Sequence, residues 1–546
     1  MDWASKATAV APVTAVALVA GLVVAGCSST SDSTVPQTGT EVGFPEGVAS
    51  GAVSESAVKL WTRASGSQPV RVAVRADQGF AVDCTAEPDA TWSGQEVPDP
   101  AADNTVHFRV KGLDPATQYY YRFCTDAGAV STVGAFRTAP PRNADADVRF
   151  SFTGDATAEP ADGQTVPFYD GFPVFGQMAD ADPDFVVFGG DVIYSDSVVG
   201  KRDKPTAVTR PEKWAKYREN LAQADLRRLR ATTSSYNHWD DHEWDNGFYR
   251  QAGNQTEWLA GLAAFTDYMP VDHNDRDGLF SVHHWGRNLD LIVLDETSFR
   301  TEPVDEIPRD KNPCVNPQTK SVDRMPTASV ALREKMAVAL NEPSLRWPIP
   351  AACTKALEAP DRTILGARQF GQLAQALKES TARYRVIVST GPMQQIYVAP
   401  YGRFEGYPAE RARLLDLLAR YPRVVTIATD VHASLINRIG ASAGGSDGGG
   451  TAMEVTVGPA ATGTRQVIWD RYFRNAPGKP TDIIARDLLL APEADGGLGM
   501  SCAQLNAYSY ATVEVTSSRL TITPRDTAGQ PLVSAQGAPC EPLVVD

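Results

Sequence analysis

Three apolar runs in this chain each run straight into an aspartate, and no other feature limits the fold as much. Val148-Arg149-Phe150-Ser151-Phe152 leads into Thr153-Gly154-Asp155. Phe185-Val186-Val187-Phe188 leads into Gly189-Gly190-Asp191-Val192-Ile193-Tyr194. Val424-Val425-Thr426-Ile427-Ala428 leads into Thr429-Asp430-Val431-His432. Short β-rich runs of this kind fit strands covered on both faces. They alternate with helical stretches at Glu212–Arg230, Glu257–Tyr268, Arg368–Lys378 and Ala409–Ala419, and with further runs at Leu289–Leu294 and Arg385–Val388. The pattern predicts an α/β domain with a buried sheet. In such sheets ligands bind beyond the carboxyl ends of the strands. One rim would then receive Asp155, Asp191, Tyr194, Asp430 and His432.

A single Gly-Asp is ordinarily a turn. Three strand–aspartate junctions, plus the cluster Asn237-His238-Trp239-Asp240-Asp241-His242-Glu243, are hard to explain as turns. So many carboxylates on one rim repel unless cations neutralise them. The Gly-Asp-x-x-Tyr spacing lets Asp191 and Tyr194 reach one ion, and a phenolate favours a hard metal such as Fe(III). Asp155 and His432 complete a first site of three oxygens and one nitrogen. Asp191 can bridge to a second ion, where Asp241 and Asp430 add oxygen alone, which suits Ca²⁺, Mn²⁺ or Mg²⁺. With 7 histidines in the chain, a His-rich zinc pair is disfavoured. Two such ions form a hydrolytic clamp for a phosphate ester. His242, beside Asp241, is the candidate general acid for the leaving group. His238 reads as structural, and His273, His283 and His284 have no motif context. No Gly-x-Ser-x-Gly elbow with suitable partners supports a serine hydrolase.

The net charge of -15 argues against a general nucleic-acid binder. Bound metal would still let an acidic protein accept phosphate. Residues 1–27 read as a lipoprotein signal peptide: Lys6, an apolar run to Ala25, and Val24-Ala25-Gly26-Cys27 as a lipobox. The rival is an uncleaved membrane anchor. A Ser/Thr-rich tether, 28–40, favours an exported protein held to the membrane through its lipid alone. The six remaining cysteines, Cys84, Cys124, Cys314, Cys353, Cys502 and Cys540, suit disulfides in an oxidising compartment, paired sequentially. Short alternating strands over 41–140 predict a small β-sandwich, closed by Pro140-Pro141. The main domain follows over 145–525, with a Pro-rich insertion at 301–360 and a tail at 526–546.

Gly47-Val48-Ala49-Ser50-Gly51, Leu60-Trp61-Thr62-Arg63, Tyr119-Tyr120-Tyr121-Arg122-Phe123 and Phe136-Arg137-Thr138-Ala139-Pro140 are similar to the N-terminal signature of the alkaline phosphatase D (PhoD-like) family. Gly190-Asp191-Val192-Ile193-Tyr194, Trp239-Asp240-Asp241-His242-Glu243 and Asp430-Val431-His432 resemble its catalytic signatures. The resemblance implies a calcineurin-like metallophosphoesterase sandwich preceded by a fibronectin-III-like all-β domain. It implies hydrolysis of phosphate monoesters or diesters with Fe(III) and Ca²⁺. The chain is expected to act as a monomer. The implied ligands are Asp191, Tyr194, Asp430 and His432, with Asn246 as a weaker one. There are departures. Gly154-Asp155-Ala156 stands where many members have Ser-Cys-Gln, and Asp295-Glu296-Thr297 where the family has Asp-Thr-Arg, so a substrate contact differs. Two other functions compete: a phospholipase D-like phosphodiesterase acting on phospholipid at the same site, and a non-catalytic surface lipoprotein.

Overall fold

The computed structural model describes residues 43–81, 89–199, 205–250, 252–439 and 452–546. The lipobox Cys27, the tether, Cys84 and the Gly-rich segment 444–450 lie outside them. Two sheets face one another. The first has nine strands in the order Leu543–Val545, Leu520–Arg525, Tyr510–Val515, Val148–Thr153, Phe185–Gly189, Ser235–His238, Val48–Gly51, Ala57–Arg63 and Thr105–Lys111. The second has seven: Ser281–Trp285, Leu289–Val293, Tyr384–Val388, Val424–Ala428, Met453–Thr456, Ser434–Arg438 and Cys502–Gln504. The strands that lead into Asp155 and Asp191 are parallel neighbours in the first sheet. The strand that leads into Asp430 lies in the second, parallel to its neighbours on both sides.

Side-chain alternation explains the unbroken apolar runs. Phe185 and Val187 point into the core between the sheets, against Trp285, Leu289 and Leu291. Val186 and Phe188 point outward against Val174, Phe175, Leu229 and Phe265. On the other sheet, Val386 and Val388 face inward. Ile387 packs outward on Leu373 and Leu377 of helix Gly366–Glu379 and on Leu414 and Leu418 of helix Pro408–Leu418. Both faces of each central strand are therefore dry, and neither can carry the polar alternation of a half-exposed strand.

The predicted helix 212–230 is two helices, Arg210–Leu221 and Ala224–Thr232. A capping box starts the first, with the Thr209 N–H donating to Glu212 Oε2 at 2.8 Å. Near its end, Asn220 turns inward. It donates to Ala156 O at 3.0 Å and Val192 O at 2.7 Å, and accepts from the Ala158 N–H at 2.7 Å. This one amide ties together the loops that leave Asp155 and Asp191.

The N-terminal all-β region is continuous with the main sheet. Four of its strands, Trp92–Glu96, Val70–Arg75, Gln118–Thr125 and Gly134–Arg137, form a separate sheet. The other three join the nine-stranded sheet where Gly51 pairs in parallel with Ser235. A Cβ at Gly51 would lie 2.5 Å from Pro270 O and 2.8 Å from Ser235 O, so only glycine permits that approach. The 526–546 segment also returns to the domain. Leu543–Val545 pairs with Leu520–Arg525, and Cys540 bonds Cys502.

The insertion is ordered by helices Val330–Ala339 and Ala351–Leu357 and by the Cys314–Cys353 disulfide, which spans 39 residues. Both observed bonds join sequence neighbours, as expected, and Cys124 is disulfide-bonded as well. Replacing Cys314 and Cys353 by serine frees the unfolded chain from a loop of that length. We expect a loss of about 2–4 kcal/mol in denaturant unfolding. An unchanged midpoint would contradict that role.

Candidate metal centre

The two sheets meet at the rim through small residues. Cβ atoms at Gly154 and Gly189 would lie 3.0 and 2.7 Å from Thr429 Cγ2. Thr429 Oγ1 donates to Gly189 O at 2.8 Å, joining the end of one sheet to the other. This is why glycine stands just before or near Asp155 and Asp191. Beyond these contacts the backbone turns sharply. Asp155, Asp191, Asp430 and His432 have φ of 63°, 51°, 64° and 52°. Four non-glycine residues in the left-handed region at one rim mark strain held by the surrounding packing.

These turns bring the predicted side chains together. Tyr194 Oη donates to Asp191 Oδ2 at 3.3 Å and stands 3.2 Å from His432 Nε2. His432 Nε2 is 3.8 Å from Asp155 Oδ1. Donor atoms of Asp155, Asp191 and His432 lie within 4.8 Å of one another, as do those of Asp191, Asp241 and His242. Asp191 belongs to both triads. Asp430 stands outside them, half-buried, with Asp241 among the charges that act on it.

The donor set fits cations. Both carboxylate oxygens of Asp155 are buried and accept no hydrogen bond among the described residues. Burial, and then the Asp430 charge, hold the Asp155 carboxyl well above the ordinary range. Burial followed by Asp241 and Asp240 does the same to Asp191, and burial followed by Asp241 to Asp240. Burial, then Asp191 and Asp155, raises the Tyr194 phenol well above its usual value. Burial lowers His432 to about 3, leaving a neutral imidazole. Its Nδ1 is fixed on Gly463 O, which turns Nε2 toward the acids. A buried group of acids that cannot ionise on its own, facing a neutral imidazole, is a ligand set for positive ions.

His242 packs beside this cluster, its ring centroid 4.1 Å from that of Tyr194 and its plane inclined at 32°. Its Nδ1 pairs with Asp196 Oδ1 at 2.6 Å. Burial opposes a charged ring, but Asp196 and then Asp241 carry it up to about 9. Glu243 closes the motif from behind, accepting from the Val192 and Asp240 N–H groups at 2.7 Å each.

The remaining predicted residues divide. Asp241 Oδ2 accepts from the Gly247 N–H at 2.6 Å. Asn246 is exposed, and its N–H donates to Asp245 Oδ1 at 3.0 Å, so it is not buried with the other candidates. His238 bridges Trp239 O and Leu294 O through its two ring nitrogens. Asp295 accepts from the Leu279 and Ser298 N–H groups at 3.0 Å each, and Glu296 accepts from Ser389, Thr390 and Gly391. Both brace loops.

Sequence reasoning missed Asp196 and three buried arginines. Asp196 lay two residues beyond Tyr194 in the same motif and could have been paired with His242. Arg300 and Arg403, from two loops, and Arg465, at the start of helix Arg465–Tyr472, act on Asp430 and carry no motif.

A double-sheet α/β sandwich with acids and an imidazole gathered at the strand ends defines the calcineurin-like metallophosphoesterase fold. The "PhoD-like phosphatase" family model matches residues 161–484 and the "PhoD-like phosphatase, N-terminal domain" model residues 28–140. The chain belongs to the PhoD-like phosphatase family. Alkaline phosphatase D of Bacillus subtilis (strain 168) is 24% identical over 433 residues, 72% of this chain and 64% of that relative. The solved structure of PhoD superposes with a TM-score of 0.66 at 19% identity, covering 91% of this chain and 94% of that one. A purple acid phosphatase from yellow lupin seeds superposes with a TM-score of 0.51 at 11% identity, covering 91% and 73%. Among the described residues no helix is long and apolar enough to cross a membrane.

Proposed function

We propose that the protein is a metal-dependent phosphoric ester hydrolase acting on phosphate monoesters or diesters. The observation that carries this reading is the junction at Tyr194, whose Oη meets both Asp191 and His432 beside the unpartnered Asp155 carboxylate. Asp155, Asp191, Tyr194 and His432 would hold a first ion, Fe(III) by their oxygen-rich set. Asp191, Asp241 and Asp430 would hold a second, Ca²⁺, with Mn²⁺ or Mg²⁺ as alternatives. The chemistry such ions supply is neutralisation of a phosphoryl group and acidification of water.

The chain's own groups do the rest. Asp196 fixes the His242 ring through Nδ1, so that Nε2 is free to hand a proton to the departing alkoxide. Tyr194 packs against that ring, their planes inclined at 32°, and limits its movement. Asn220 and Glu243 keep the loops of Asp155, Asp191 and Asp240 in register.

The test is elemental analysis of untagged protein, paired with hydrolysis of a monoester, a diester and a choline phospholipid. Chelation is expected to lower hydrolysis by about 10²-fold or more, with recovery on adding metal back. A protein that hydrolyses none of the three with iron, calcium, manganese or magnesium present would be a binding module instead.

The same reading includes export and a lipid anchor at Cys27. Its support is the lipobox sequence and the two disulfides, Cys314–Cys353 and Cys502–Cys540, which persist in oxidising compartments.

A further inference from the structure

Two of the arginines near the acids are held with nitrogen atoms to spare. Arg465 opens helix Arg465–Tyr472 directly behind His432. Its backbone N–H donates to His432 O at 2.9 Å and its Nε to Val431 O at 2.5 Å. The residue is 7% exposed, yet its two terminal nitrogens donate to nothing among the described residues. Arg403 comes from the loop after strand Tyr384–Val388. Its Nη2 donates to Val398 O at 3.0 Å and Glu405 Oε1 at 2.6 Å. Glu405 is anchored in turn by the Ile396 and Tyr397 N–H groups, at 2.9 Å each. Nη1 of Arg403 has no partner among the described residues, and Nε is buried without one. Gly391 separates this side chain from Asp430. A Cβ there would lie 3.4 Å from Arg403 Cγ and 3.5 Å from Asp430 Oδ2.

Arg403 is already paired with Glu405. Among the described residues Arg465 pairs with no carboxylate, and the acids that act on it, Asp430 and Asp155, are those assigned to metal. Guanidinium groups with free nitrogens match phosphate oxygens in a way that a point charge does not. A monoester offers three non-bridging oxygens and a second negative charge. A diester offers two oxygens and one charge.

Resting on the hydrolase reading above, we propose that Arg465 and Arg403 form a phosphoryl clamp that favours a dianionic terminal phosphate, and so monoesters over diesters. The probe is inorganic phosphate, titrated into the metal-loaded protein by calorimetry. Arg465→Gln is expected to weaken phosphate binding by about 10- to 100-fold. Its kcat/KM should fall about tenfold further for a monoester than for a diester, with metal content unchanged. Arg465→Lys should recover part of the loss. Arg403→Gln should shift binding in the same direction, and Arg471→Gln, at the exposed end of the same helix, should shift nothing. Wild-type phosphate affinity in both glutamine variants at full metal loading would overturn the clamp. So would loss of metal from Arg465→Gln, which would make Arg465 a prop for the His432 turn. If the wild type binds phosphate through Arg465 but hydrolyses no ester, the clamp stands and the hydrolase reading fails.

Discussion

Asp191→Asn is expected to lower kcat/KM for phosphate esters by on the order of 10³-fold while the protein stays folded. The asparagine amide has nearly the same volume and keeps one oxygen acceptor, so the packing around the 2% exposed side chain is retained. What disappears is the negative charge shared by both triads. Oδ2 is the acceptor for Tyr194, and Oδ1 accepts the His242 backbone N–H at 3.1 Å, so an amide NH2 at either position costs one of these two hydrogen bonds. The effect on stability has the opposite sign. Burial and then the Asp241, Asp240 and Glu243 charges make an ionised Asp191 unfavourable when no cation is near. In chelator-treated protein the variant should therefore melt no lower than the wild type. Near-normal hydrolysis at full metal content would remove Asp191 from the centre and with it the two-ion reading.

Much of this centre could be read from the chain because it depends on local rules. A strand buried on both faces writes itself as an apolar run, and the observed strands Val148–Thr153, Phe185–Gly189 and Val424–Ala428 begin where those runs begin. Asp155, Asp191 and Asp430 follow because the backbone must turn where a strand leaves the sheet. The residues that escaped are set by tertiary contact. Asn220 sits in an ordinary helical stretch, and its tie to Ala156 and Val192 exists only once the two loops are folded. Arg403 and Arg465 lie on opposite sides of Asp430 in sequence, with no spacing rule to link them. The pairing of Gly51 with Ser235 is hidden for the same reason: period-2 alternation identifies a strand but not its neighbour. Asn246 shows the converse. A motif position suggested a ligand, and the turn after Asp241 leaves it exposed.

Arg333→Met is expected to destabilise the protein by about 3–5 kcal/mol without touching the rim. Arg333 lies on helix Val330–Ala339 of the insertion and meets Asp323 twice, at 2.7 and 2.8 Å, with both side chains at most 4% exposed. The same guanidinium donates to Met325 O at 2.7 Å and to Trp347 O at 3.1 Å. One cation thus gathers three stretches of a Pro-rich segment around the Met325, Leu332, Met336 and Leu345 cluster. Methionine fills most of the space but leaves the Asp323 carboxylate buried and without its cation, and an unpaired buried charge is what makes such a change severe. The double change Asp323→Leu with Arg333→Met removes that charge as well. It should recover most of the loss in denaturant unfolding, giving a coupling between the two sites of about 2 kcal/mol or more. Equal losses in the single and double variants would mean that the backbone hydrogen bonds, not the ion pair, hold the insertion together. Ester hydrolysis measured at low temperature should be unchanged in both, since the insertion's fold and the chemistry at Asp191 are then separate properties of the chain.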